Sequence, residues 1–512
     1  MGGPRRAGEV WAGMRLWQVM AGTEVHGPRA SDPEITLLTC DSREVVPGAL
    51  FFALPGEKQD GRLFADEAVR RGAAAVLAEG EVDCAPALAL RARSARRAMA
   101  IAAHNFYGHP GEGLSLAAVT GTNGKTTVTY LVEACARAEG VPAAVLGTVG
   151  YRWPGGEARA SHTTPESTEI ARILARARAG GARLAVLEAS SHALAQERVT
   201  GLAFESAAFM NLSRDHLDYH RDMERYFRAK SRLFEEHLRP GGTAVVNVDD
   251  PFGARLAHAL EGRPVVIWRF GASRENAIFA EGARFSVRGI EATLRTPKGD
   301  LALASPLIGV HNLENLLAAS GLALACGLSP QAVERGLSAS QGAPGRLERI
   351  EGRGIVAFVD YAHTPDALAR ALAALRALGP RRLLLVFGCG GDRDRGKRPL
   401  MGEVAAKACE LSIATSDNPR SEDPLRILSE IVPGLERAGA GPLTQLAARA
   451  GERGYLVCPD RREAIKLALE LARPGDLVLI AGKGHEDYEI VGRERRPFDD
   501  RVEARRALGV AA

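Results

Sequence analysis

The sequence predicts an α/β fold divided among about three domains, and three observations carry that prediction. The chain has 512 residues, more than one ordinary core accommodates. Short apolar runs alternate with helix-like stretches in two successive regions, the pattern of largely parallel, doubly wound sheets. At the head of the first region, the run Leu116–Val119 enters a glycine-bearing turn that opens an amphipathic helix.

Taken in chain order, residues 1–13 contain Gly and Arg without apolar patterning and are expected to be a disordered extension; translation starts at Met1 or at Met14. Residues 14–110 mix short apolar runs (ALFFALPG, AAAVLAEG) with turn residues, as in a small N-terminal α/β domain. HPGEG at 109–113 has the composition of a linker. The central domain, 111–343, carries the candidate strands LAAVT, RLAVLEA, SAAFMNL, TAVVNV and VVIWRF. Its residues 277–308 read as short β segments, and HNLENLLAASGLALACG reads as a helix. After QGAPGR the alternation restarts with IVAFVDY, RRLLLVFG, LSIATS and DLVLIAG, a second, Rossmann-like unit over 344–512. Ligands of such sheets sit beyond the carboxyl ends of strands, where the motifs below fall.

Composition narrows the function. Hydrophobic content of 46% with 25% charged residues describes a globular protein in water, and 66 basic against 62 acidic side chains leave only +4, which gives nucleic acid or membrane binding little support. Seven scattered cysteines, never in C-x-x-C spacing, argue against a disulfide scaffold and a zinc site, and fit a reducing cytoplasm. No apolar stretch reaches membrane-spanning length, and no signal-peptide core is present.

The turn at 121–127 suits a triphosphate. Gly121, Thr122, Asn123 and Gly124 let backbone N–H groups approach phosphates, and Lys125, Thr126 and Thr127 open a helix whose N-terminus favours anions. Lys125 can reach the β/γ-phosphates and Thr126 can ligate Mg²⁺. The segment departs from the common G-x-x-x-x-G-K-[ST] pattern because Val119 occupies the first glycine's place. The central domain is therefore expected to be a P-loop ATPase-like doubly wound sheet.

Other polar clusters follow predicted strands. Glu188 ends RLAVLEA and is either a hard oxygen ligand for Mg²⁺ or a solvated capping carboxylate. SHTTPEST (161–168) is a polar loop on its own residues, and TCDSREVVPGALFFALPG (39–56) fits an ordinary polar turn as well as a binding segment. His216 reads as a surface histidine or an imidazole ligand, and Lys230 lies in a helix-like stretch where lysines are usually solvated. Arg346, Asp360 and His363 fit a salt-bridged surface as well as a nucleotide contact. In the last domain, Arg393, Arg395, Lys397 and Arg398, then Asp417, Asn418 and Arg420, then Gly482, Lys483, His485 and Glu486 follow three strands, which suggests a pocket for a zwitterion.

G-T-N-G-K-T-T resembles the ATP site of the Mur ligases and of the relatives that glutamylate folates, and the likeness extends over nearly the whole chain after residue 13. The resemblance implies ATP and Mg²⁺ as cofactors, with Glu188 and His216 serving the metal and Lys230 reacting with CO₂ to become N6-carboxylysine. It implies that Asn315, Arg346 and Asp360 serve ATP, and that Ser42, Thr163, Thr164, Ser190, Gln196 and Arg198 hold a uridine-nucleotide-sugar peptide. D-N-P-R at 417–420 resembles the branch that adds meso-diaminopimelate to UDP-N-acetylmuramoyl-L-alanyl-D-glutamate, with Arg393, Asp417, Asn418, Pro419, Arg420, Gly482 and Glu486 as the diaminopimelate contacts. Diaminopimelate differs from lysine by a distal carboxylate, and Arg420 can pair with it through a planar fork. The expected activity is ATP-dependent amide ligation by a cytoplasmic monomer in peptidoglycan precursor synthesis. The lysine-adding counterpart, folylpolyglutamate synthesis and a nucleotide-driven switch are the alternatives.

Overall fold

A computed structural model describes residues 13–56 and 59–510. The expected extension at 1–13 lies outside them except for Gly13. The described chain forms two compact units: one runs up to Phe279 and takes in Arg295–Leu301 and Leu317–Gly336, the other comprises Ala280–Leu294, Ala302–Leu316 and the residues from Leu337 on.

The first unit contains two large sheets and the small antiparallel pair Met14–Arg15/Glu34–Ile35. The N-terminal large sheet has the strand order Val25–His26, Leu88–Ala92, Ala75–Ala78, Ala49–Ala53, Leu37–Thr39, parallel except for its first pair. Helix Ala95–Phe106 starts at Ser94, whose hydroxyl accepts from Arg97 N, an N-cap. Its apolar face (Ala98, Met99, Ala102, Phe106) shares a core with Leu50, Phe52, Leu77 and Leu90 and with Ala171 and Ala175 of helix Ser167–Ala179. Each large side chain buried there contributes roughly 1.5–3 kcal/mol.

The second sheet has eight strands in the order Gly156–Ala158, Tyr151–Trp153, Ala143–Leu146, Leu184–Glu188, Ser115–Thr120, Phe204–Phe209, Leu238–Asn247, Val266–Phe270. The six from Ala143–Leu146 onward are parallel and the outer hairpin is antiparallel. Burial on both faces explains why the inner strands read as unbroken apolar runs. From Ser115–Thr120 the chain steps outward to Ala143–Leu146, returns to Leu184–Glu188, then crosses to Phe204–Phe209. That reversal opens a crevice at the carboxyl end of Ser115–Thr120.

Three short strands, Phe279–Ser286, Gly289–Arg295 and Leu301–Ser305, form a separate sheet, as the reading of 277–308 anticipates. The second unit is built on six strands ordered Glu348–Gly352, Ile355–Asp360, Leu477–Ala481, Leu383–Phe387, Leu411–Ala414, Gly454–Val457, with only the first antiparallel. Apolar cores cover both faces, one around Phe358, Leu385 and Met401, the other around Val386, Ile465 and Leu469. The carboxyl ends of Leu477–Ala481, Leu383–Phe387 and Leu411–Ala414 are neighbours, so the three charged segments of the sequence converge. The sequence reading missed the edge strands Glu348–Gly352 and Gly454–Val457 and the hairpins Tyr151–Trp153/Gly156–Ala158 and Tyr488–Val491/Glu494–Pro497, which are short and in part polar.

Candidate active site

The turn after Ser115–Thr120 requires its glycines. Gly121 has φ 149°, and a Cβ there would lie 2.8 Å from Met210 Cβ; Gly124, with φ 91°, caps helix Lys125–Glu139. Asn211, just past the neighbouring strand, clamps the turn. Its carbonyl oxygen accepts from Thr122 N (2.9 Å), its Oδ1 accepts from Asn123 N (2.9 Å), and its Nδ2 donates to Asn123 O (3.4 Å). Thr122 Oγ1 lies 3.2 Å from Tyr226 OH and accepts from Ser213 N (3.0 Å). Lys125 Nζ donates to Gly121 O and Thr122 O (2.8 and 2.9 Å), so its ammonium lies over the turn at a helix N-terminus, a setting that favours an anion. Thr127 is buried in the helix's first turn.

One strand over, Glu188 is 1% exposed. Its carboxylate accepts from Thr126 Oγ1 (3.0 Å), Thr148 Oγ1 (3.0 Å) and Thr148 N (2.8 Å). The solvated alternative for Glu188 is thereby excluded, and the set of hard oxygen donors fits Mg²⁺. The same network continues into the T-T-P loop. Thr163 Oγ1 is 3.1 Å from Thr148 Oγ1, and Thr164 Oγ1 donates to Glu188 O (2.6 Å) and accepts from Ser190 N (3.0 Å). Ser190 caps helix Ser191–Ala195. Arg198 donates to Thr164 O (2.7 Å) and Gln196 Oε1 (2.8 Å) and pairs with Glu166 (2.9 Å). Ser42 stands apart from that network, in a 3₁₀ turn where its hydroxyl donates to Glu67 Oε2 (2.8 Å).

On the other side of the turn, helix Met223–Glu235 brings Lys230 to Gly121 O (2.9 Å) with 1% exposure, so the solvated reading of this lysine fails too. Burial, reinforced by Lys125, pushes its pKa well below the ordinary lysine value. Its Nζ lies 4.8 Å from the centre of the Tyr226 ring, on which His220 stacks at 5.0 Å. His220 Nε2 lies 2.9 Å from Ser191 Oγ. His216 caps the short helix Leu217–His220 with φ 53°, seven residues beyond strand Phe204–Phe209 and not at its end. Its side chain is 47% exposed, its ring meets His192 edge-on at 4.8 Å, and partial desolvation lowers its pKa against the pull of Asp215.

In the second unit, Asn315 Nδ2 donates to Asn312 Oδ1 (3.0 Å) on helix Val310–Ala325. Asp360 ends strand Ile355–Asp360 and accepts from Leu347 N and Ala362 N (both 2.8 Å), while burial raises its pKa against the pull of Arg346. The Arg346 guanidinium lies 4.8 Å from the Tyr361 ring centre. At the three converging strand ends, Asn418 Oδ1 accepts from Lys483 Nζ (2.9 Å) and Ile490 N (3.0 Å), which turns its Nδ2 to Glu486 Oε2 (2.9 Å). Asp417 lies 3.5 Å from Lys483 Nζ, and Gly482, with φ 123°, donates to Asp360 O. Arg420 Nη1 donates to Gly391 O (2.8 Å), and Arg393 Nη1 to Asp392 O (3.2 Å). A side chain on Gly391 would run into the carbonyl oxygen of Pro419. The basic cluster is smaller than the sequence suggests. Arg398 and Arg395 pair with Glu430, Arg398 also with Glu422, and Lys397 Nζ donates to His363 O (2.9 Å).

Sequence reasoning missed Thr148, Asn211, Tyr226 and His220. The first three reach the turn or Glu188 from a neighbouring segment, and His220 stacks on Tyr226; only N-x-S after SAAFM and the D-Y-H triplet were visible as signals.

Three family models match the chain: the Mur ligase middle domain over residues 119–323, the Mur ligase glutamate ligase domain over 345–484, and the Mur ligase family catalytic domain over 34–107. The chain is 48% identical over 484 residues to the UDP-N-acetylmuramoyl-L-alanyl-D-glutamate--2,6-diaminopimelate ligase of Geobacter metallireducens, covering 93% of this chain and 94% of that one. It is 46% identical to the ligase of the same name from Gloeobacter violaceus, over 97% and 98%. A solved structure of a UDP-N-acetylmuramoyl-L-alanyl-D-glutamate--2,6-diaminopimelate ligase aligns with TM-score 0.67 and 36% identity, over 93% and 95% of the two chains.

Proposed function

This chain belongs to the Mur ligase family, and on that premise we propose that it joins meso-diaminopimelate to UDP-N-acetylmuramoyl-L-alanyl-D-glutamate at the expense of ATP. The γ-phosphoryl group passes to the γ-carboxylate of D-glutamate and ADP leaves. The diaminopimelate amine attacks the acyl carbon, loses a proton, and phosphate departs. The residues assigned to each role are part of the proposal. Lys125 and the amides of the Gly121–Gly124 turn hold the phosphates, and their positive field stabilises the transferring group. Mg²⁺, when bound by Glu188, Thr126, His216 and the modified Lys230, neutralises phosphate charge. Lys230, neutral because it is buried, can attack CO₂ and release a proton, which turns it into an anion with two oxygen donors. Thr163, Thr164, Ser190, Gln196, Arg198 and, in the N-terminal domain, Ser42 bind the nucleotide-sugar peptide. Asn315, Arg346 and Asp360 serve ATP.

The observation that carries the choice of amino acid is the junction of Asn418, Glu486 and Arg420 at three adjoining strand ends. It offers a carboxylate for a distal ammonium and a guanidinium for a distal carboxylate, and lysine has no use for the second. Domains at 14–110, 111–343 and 344–512, a monomeric state and a cytoplasmic location complete the reading. Among the described residues no helix is long and apolar enough to cross a membrane. ADP release in the presence of the muramoyl dipeptide tests the proposal: it should require meso-diaminopimelate and be near background with no amino acid. Release that ignores the amino acid altogether would point to a nucleotide-driven switch.

A further inference from the structure

Arg398, in the first turn of helix Lys397–Ala408, is 0% exposed. Its Nη1 donates to Glu422 Oε2 (3.0 Å) and Glu430 Oε2 (2.8 Å), and its Nη2 donates to Glu422 Oε1 (2.8 Å) and Gly390 O (3.4 Å). Glu422 Oε1 also accepts from Asp392 N (2.6 Å), and Asp392 accepts in turn from Ser421 Oγ (2.6 Å) and Ser421 N (3.2 Å). Gly391 N donates to Asn418 O (2.9 Å), and Arg420 Nη1 to Gly391 O. One guanidinium thus ties residues 390–392 to residues 418–422. Both segments hold a non-glycine residue in the left-handed region, Asp392 and Arg420, each at φ 52°. Such conformations cost about 1 kcal/mol or more and persist only where surrounding contacts impose them. The hydrogen bonds from Arg398 hold the Glu422 carboxyl down at about 2, so the tie stays ionised at any physiological pH.

Resting on the diaminopimelate reading above, we propose that the buried Arg398–Glu422 clasp sets amino-acid specificity by fixing the loop that aims Arg420 at the substrate's distal carboxylate. Arg398 is a positioning residue: its Nη donors are engaged with Glu422, Glu430 and Gly390, and it does not touch the amino acid. A lysine cannot replace it, because one ammonium cannot bridge two carboxylates and a carbonyl from a fixed plane. Ser421 is the outer stitch of the same tie, and its removal buries no charge.

The test compares kcat/KM for meso-diaminopimelate and L-lysine in the full-length chain and in Arg398→Met, Arg398→Lys and Ser421→Ala. The expected result for both Arg398 variants is a KM for diaminopimelate raised by about tenfold or more, with the KM for ATP and the kcat at saturating diaminopimelate within about twofold of the parent. Discrimination against lysine should fall in step, and Ser421→Ala should move the same way by a smaller factor. Equal losses with both amino acids, or an unchanged ratio, would overturn the clasp. If the Arg398 variants do not fold, Ser421→Ala decides alone, an unchanged diaminopimelate KM overturning the proposal. If the parent chain ligates no diaminopimelate, the underlying reading falls and the clasp falls with it; a parent that discriminates beside variants that also discriminate sinks the clasp only.

Discussion

Replacing Lys230 separates a structural lysine from a chemical one. The side chain is 1% exposed, its amine has Gly121 O at 2.9 Å, and the Tyr226 ring centre lies 4.8 Å away. In Lys230→Met the volume is nearly kept, so the cavity cost is small. One hydrogen bond is lost, but Gly121 O keeps the Lys125 ammonium as a donor, so the loss costs about 1 kcal/mol. Against that, the variant no longer desolvates an amine. The net change in stability should stay within about 2 kcal/mol, a shift of a few degrees in a thermal melt for a chain of this size. Ligation should fall by more than about a hundredfold, because no aliphatic chain can form a carbamate. Lys230→Ala leaves a space beside the turn, and formate at high concentration should restore part of its activity by supplying the missing anion. In the parent chain, ¹³C-bicarbonate should give one carbamate resonance that is absent from both variants. Full turnover by Lys230→Met in CO₂-depleted buffer would rule out a carbamate at this position.

Other outcomes follow from the same geometry. Lys125→Ala should fold normally and lose more than about a hundredfold in kcat/KM for ATP, since its ammonium faces the turn and not a core; turnover assays and a melt check both halves. Asn211→Ala removes the side-chain clamp on Asn123 and should raise the KM for ATP by about tenfold while sparing that for diaminopimelate. Arg420→Ala should raise the KM for diaminopimelate by about 10- to 100-fold and leave those for ATP and the muramoyl dipeptide unchanged, and Arg420→Lys should recover little. His237 is buried and its pKa is lowered to about 4, so between about pH 4 and 6.5 the unfolded chain binds a proton that the folded one does not. Its contribution to stability is intact above pH 6.5 and is lost as pH falls towards 4, at up to about 1.4 kcal/mol per pH unit. His237→Gln should flatten that slope in denaturant titrations.

What the sequence reveals about this chain is what its local chemistry determines. A strand, two glycines, a lysine and a helix lie within a dozen residues, so G-T-N-G-K-T-T declares an anion site before any tertiary contact is known. The inner strands announce themselves as apolar runs because both of their faces are buried. Asn211 and Thr148 were not legible, because they act through strands that become neighbours only when the sheet order Ala143–Leu146, Leu184–Glu188, Ser115–Thr120, Phe204–Phe209 is formed. Charge was the least legible property. Arg398 and Arg420 look alike in the sequence, yet one is sealed against Glu422 and Glu430, residues 24 and 32 positions away, and the other is held through a carbonyl beside the Asn418–Glu486 pair. Ser42 shows a further limit, since its hydroxyl is paired with Glu67 across 25 residues of sequence.

The central claim is the identity of the bond that this chain makes. It is tested most directly by supplying ATP, UDP-N-acetylmuramoyl-L-alanyl-D-glutamate, and meso-diaminopimelate and L-lysine at equal concentration, then weighing the products by mass spectrometry. A diaminopimelate tripeptide should form in step with ADP, with essentially no lysine tripeptide. A lysine product in equal or greater amount, or ADP released with no new amide, would contradict that claim.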